Sequence, residues 1–199
     1  MGAEERMDDK RGTMTLYTAQ STPVLRAIER DGVCFSRAEY VRRKYGESAP
    51  LFLTVYGWFV QKAAERVPPP EGAQFPYWAF AETSSIDLSS AEHILTLEVP
   101  RDQAVFFDVF DWNRILQLRY LGENEQQERE FRQELELRGL DNQKVMLSSF
   151  YPEWKGRILE SWERLFRWHE RICAGDTSCV GSVQAGLWCI RREWIVSGL

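Results

Sequence analysis

The chain has 199 residues, 44% of them hydrophobic and 28% charged, with a net charge of −5 and a pI near 5.3. A chain of that length suits one domain that buries roughly 70% of its unfolded surface. Its acidic balance does not favour nucleic acid as the main partner, because phosphate neutralisation supplies most of that affinity.

Residues 1–13 open with a charged stretch and are expected to fray, leaving 14–199 as the globular domain. They lack the apolar segment of a signal peptide, and no later run is long enough to span a membrane. The cytoplasm is therefore the expected compartment, with no membrane partner. Met14 to Ala19 alternates like a strand. Ser21 or Thr22 then offers an N-cap, Pro23 suits a first helical turn, and Asp31-Gly32 ends that helix. Val33 to Phe35 is a short extended piece, and Ser36 is placed to cap a second helix to about Lys44. Ser48 to Arg66 has helical spacing at Leu51, Val55, Trp58 and Phe59, and stops at Pro68-Pro69-Pro70. Phe75 to Phe80, Ile94 to Val99 and Ala104 to Phe107 read as three strands.

The next stretch is helical. Asp108 or Asp111 can cap a helix carrying Trp112, Ile115, Leu116 and Tyr120, and Gly122 separates it from a polar helix, Glu123 to Arg138. Glu128/Arg132 and Glu134/Arg138 are placed as i,i+4 pairs. Pro152 to Cys173 is expected as one long helix with an apolar stripe through Trp154, Ile158, Trp162 and Phe166, braced by Glu160/Arg164 and Glu163/Arg167. A last strand, Ser182 to Ile190, precedes a turn with Trp194 and Ile195. Helices cluster in blocks instead of alternating with strands. That predicts an α+β fold: a single small mixed or antiparallel sheet, flanked by several helices. Eight Trp, seven Tyr and eleven Phe make its core aromatic-rich.

No dinucleotide, phosphate-loop, hydrolase-elbow or zinc-protease motif is present, so no cofactor is expected and no reaction is named. His169, Cys173, Cys179 and Cys189 offer N and S donors within a short span, but in no standard zinc spacing. Buried thiols are the expectation, and no metal. The candidate binding set is Tyr17 and Gln20 at the first strand, Trp78 on the next, Asp108 and Trp112 after another, and Gln184 and Trp188 on the last. If these strands share a sheet, rings and amides converge on a cleft for a nucleotide-like or other planar polar ligand. The alternative is a protein-binding or regulatory module, such as a component of a defence or toxin–antitoxin system, that uses an aromatic surface.

The ordered features Leu16-Tyr17-Thr18-x-Gln20, Asp31-Gly32-Val33, Tyr56-x-Trp58-Phe59, Tyr77-Trp78, Leu97-Glu98-Val99-Pro100 and Val183-Gln184-Ala185-x-Leu187-Trp188 resemble the bacterial family catalogued as domain of unknown function 3841. The resemblance covers about residues 14–196 and implies no particular activity. A weaker, fold-level resemblance is to ADP-ribosyltransferase-like proteins. It implies a His or Arg on the first strand and a catalytic Glu on a late one. Thr18 and Gly186 stand at the comparable positions here, without the charge either function needs.

Overall fold

The structure, a computed structural model, describes residues 12–87 and 92–198. Most of the expected lead-in, residues 1–11, lies outside the described residues, and Thr13 already belongs to the first strand. The first half holds β1 (Thr13–Gln20), α1 (Thr22–Asp31), β2 (Val33–Phe35), α2 (Ala38–Tyr45) and α3 (Ala49–Ala64). Three strands follow, β3 (Tyr77–Phe80), β4 (His93–Pro100) and β5 (Ala104–Asp108). The helical block is α4 (Val109–Leu116), α5 (Glu125–Glu136), α6 (Asn142–Leu147), α7 (Pro152–Trp162) and α8 (His169–Cys173). The chain ends in β6 (Val183–Leu187), β7 (Cys189–Arg191) and β8 (Ile195–Ser197).

The fold is α+β. Six strands form one antiparallel sheet in the order β5-β6-β3-β1-β4-β8, and β2 pairs separately with β7. One face of the sheet packs with α1 and α8 through Leu16, Leu25, Ile28, Leu97, Phe106 and Ile172. The other face meets α3 to α7 in a ring-rich core that includes Tyr56, Phe59, Phe107, Trp112 and Trp162.

Local signals set most boundaries. Gly32 takes a left-handed φ of 75° and its N–H closes α1 on the Ile28 carbonyl at 2.9 Å, a conformation that costs glycine little. Asp108 caps α4 and Asn124 caps α5 with their side chains. Where the structure departs from the sequence reading, a distant partner wins. Ser36 does not cap α2; it bridges to Phe75, and Gln74 Oε1 accepts the Ala38 N–H at 3.1 Å. Helix α4 stops at Leu116, short of Tyr120, because the chain turns through Leu118 at φ 59° to bury Leu118 and Leu121. The expected i,i+4 pairs give way to links between elements. Glu128 meets Arg114 at 3.0 Å, Glu134 meets Arg157 at 2.9 Å, and Glu163 meets Lys62 at 2.7 Å.

The long helix expected over Pro152 to Cys173 is three pieces. Glu163–Phe166 tightens to three residues per turn, which re-phases the chain as it passes the β5 edge. Ile158, Trp162 and Phe166 thus reach the ring-rich core, while Ile172 and Cys173 reach the opposite one. His169 covers that edge, its Nδ1 accepting the Phe106 N–H at 3.1 Å. The expected strand Ser182 to Ile190 is likewise two. The buried Trp188 donates its indole N–H to the Val67 carbonyl at 2.7 Å, and the chain beyond it leaves the main sheet to join β2. Helix α6 and strand β8 carried too few residues to stand out in the sequence.

Candidate functional site

Residues directly opposite one another in a sheet project to the same face. The register therefore sets Phe107, Gln184, Phe80, Tyr17, Thr96 and Ser197 in one row across all six strands. Trp78, opposite Gly186, lies on that face one step along. At the β5 end helices cover the row. Trp112 is 2% exposed and packs 4.9 Å from Trp78 and 5.8 Å from Phe107, between ring centroids. Trp78 donates its indole N–H to the Tyr56 hydroxyl at 3.2 Å, and burial raises the pKa of that phenol so that it stays protonated.

The helical layer ends at β3. Strands β1, β4 and β8 give no residue to the ring-rich core; Thr13 and Thr15 are exposed, and Ile94 is 42% exposed. At this step sit the half-buried rings of Tyr17 and Phe80, which belong to neither core. Neither stacks on another ring among the described residues. Beside Phe80 lies Gln184, only 3% exposed, with no side-chain hydrogen bond among the described residues. Only a sliver of its side chain reaches solvent. Rings beside an amide with free hydrogen-bonding capacity can stack on a planar group and pair with its polar edge.

Of the residues singled out in the sequence, Tyr17, Trp78 and Gln184 meet on this shelf. Gln20 lies on the opposite face, where its Nε2 donates to Thr18 Oγ1 at 2.8 Å and that hydroxyl donates to the Trp78 carbonyl at 2.7 Å. Asp108 is engaged as a clamp, accepting the Phe110 N–H at 2.8 Å and the Gly181 N–H at 2.9 Å. Trp112 and Trp188 are core rings. Phe80 was missed, because strand alternation shows that Trp78 and Phe80 share a face but not which strands lie beside them. Among the described residues no group of three or more His, Cys, Asp and Glu comes together, and Cys173 Sγ lies 3.8 Å from both His169 ring nitrogens.

Two shallow hollows of about 330 and 290 Å³ flank Tyr120 elsewhere on the surface. Ion pairs tie part of each rim: Glu128 meets Arg114 at 3.0 Å at the first, and Arg164 meets Glu123 at 3.1 Å at the second. Asp111, in the first turn of α4, is less well served. Burial, with the neighbouring Asp108 carboxylate, pushes its pKa up against the pull of Arg167, Arg114 and Arg164. A carboxyl that titrates higher when folded binds more protons in the native state, so stability falls as pH rises from the unfolded value toward the folded one. Asp111→Asn should therefore be the more stable form at pH 7, with the wild type regaining ground as pH falls to about 4. Urea melts of both proteins at the two pH values check this. A variant weaker than wild type at pH 7 would show that Arg114, 3.8 Å away, outweighs the burial.

The model of one family, described as Domain of unknown function (DUF3841), matches residues 15–196. The chain belongs to that family. No curated protein and no solved structure matches it. In this DUF3841 chain the two positions compared with ADP-ribosyltransferases are both structural. Thr18 is fully buried and hydrogen-bonded to backbone, and Gly186 lies against the Phe59 ring. No helix among the described residues is long and apolar enough to cross a membrane.

Proposed function

We propose that this protein binds a planar polar molecule on the sheet shelf, stacked on Tyr17 and Phe80 and hydrogen-bonded to the Gln184 amide. The observation that carries the reading is Gln184. Leaving a buried amide unpaired costs roughly 1–3 kcal/mol, and a pocket partner would recover that. Trp78, on the same face of β3 as Phe80, bounds the shelf on the helical side. The wall of rings behind it is rigid core, so the shelf is formed before a ligand arrives.

Ligand-induced stabilisation in a thermal melt tests this. A bound ligand at a hundredfold excess over its Kd adds about 2.7 kcal/mol. For a chain of this size that raises Tm by about 5–10 °C. Gln184→Ala and Tyr17→Ala should each leave the melt of the free protein nearly unchanged and abolish the shift. A panel of nucleobases, nucleosides, nucleotides and nicotinamide compounds that moves no melt would overturn the reading. So would a Gln184→Ala protein that simply unfolds, since the amide would then be structural.

A further inference from the structure

The charge around the shelf narrows what it binds. None of the six strands of the main sheet contains a Lys or Arg; Glu98 and Asp108 are their only acidic residues. Glu98 stands on the shelf face opposite Thr15, two residues along β4 from Thr96, which pairs with Tyr17. Its carboxylate accepts hydroxyls from Thr13 at 3.0 Å and Thr15 at 2.5 Å, which fixes a negative charge about 7 Å from the ring row. Helix N-termini are the usual alternative anchor for a phosphate. Two of them are filled from within the chain: Glu92 takes the Thr22 N–H at the start of α1 at 2.6 Å, and Asp108 takes the Phe110 N–H in α4. On the helical side Arg114 is matched with Glu128, and Arg164 and Arg167 with Glu123.

Resting on the reading of the shelf as a ligand site, we infer that its ligand carries no phosphate: it is an uncharged heteroaromatic ring with an amide-like edge, as in a free nucleobase, a nucleoside or an aromatic carboxamide. A glutamine amide offers one donor side and one acceptor side, the pattern that pairs with the N6/N7 edge of adenine or with a primary carboxamide. Stacking on protein rings supplies the sequence-tolerant part of base binding. A phosphate attached to such a ring meets Glu98 with no cation in the sheet to offset it.

Calorimetric titration of the full chain with matched pairs, adenosine against AMP and guanosine against GMP, separates the possibilities. The unphosphorylated member of at least one pair should bind, with its phosphorylated partner weaker by tenfold or more, and Gln184→Ala should remove the binding. Glu98→Lys should tighten AMP severalfold and leave adenosine unchanged. Phosphorylated members that bind as tightly as their partners, and lose binding in Gln184→Ala, would overturn this inference while keeping the shelf as a ligand site. Absence of binding by all four compounds would remove the shelf itself, and this inference with it.

Discussion

Trp162→Ala is expected to cost about 3–5 kcal/mol, the range of ring truncations in packed cores. Trp162 is fully buried at the end of α7, its ring edge-on to Trp58 at 5.3 Å. Its indole N–H donates at 2.7 Å to the carbonyl of Arg119, in the chain that turns down after α4. Removing the ring opens a cavity and also strands that carbonyl. The loss therefore falls on the joint between α4 and α7 as well as on the core. At about 2–4 °C per kcal/mol for a chain of this size, Tm should drop on the order of 10 °C. Trp162→Phe keeps most of the apolar contact and loses the hydrogen bond, so its melt should lie between the two. Scanning calorimetry on the three proteins decides it. A Trp162→Ala melt within about a degree of wild type would mean that the ring carries little of the packing.

Trp162 was legible because its neighbours repeat at helical spacing, and the same holds for Ile158 and Phe166. Strands β1, β4 and β5 were legible for the matching reason, alternation bounded by turn residues. What the sequence hid depends on distant partners. Nothing near Trp188 announces that its indole will find the Val67 carbonyl and end β6 there. Nothing near Glu128 says that it will leave Arg132 for Arg114. The candidate site shows the same limit. Tyr17, Trp78 and Gln184 were named from residue type, but the sequence could not supply the register that sets Phe80 between Tyr17 and Gln184. Nor could it show that Gln20, three residues past Tyr17, points to the other face. That follows from the period of two only once the strand is known to run unbroken to Gln20.

Gly186→Glu is expected to unfold the protein. The position is the fourth of five residues in β6, opposite Trp78 on one side and Val105 on the other. A Cβ there would stand 2.9 and 3.0 Å from carbons of the Phe59 ring and 3.4 Å from Pro76 Cβ. Phe59 cannot step aside, because it is fully buried and packs edge-on to Trp78, Phe107 and Trp112. Overpacking alone costs typically about 1–3 kcal/mol. A carboxylate adds several more, since burial strips its water and no cation of the sheet strands compensates it. Together these approach the whole margin of about 5–15 kcal/mol that holds a domain folded. Gly186→Ala carries only the steric part and should remain folded with a lowered melt. Circular dichroism of both variants makes the comparison, and an NAD-hydrolysis assay adds a second readout. The position is where a late-strand catalytic glutamate would stand if the chain worked as the ADP-ribosyltransferase-like proteins do. A Gly186→Glu protein that melts like wild type and cleaves NAD would mean that the strand can open a catalytic cleft at this point. A protein that loses its fold while Gly186→Ala keeps it would mean that Phe59 owns the space, leaving no room there for such a carboxylate.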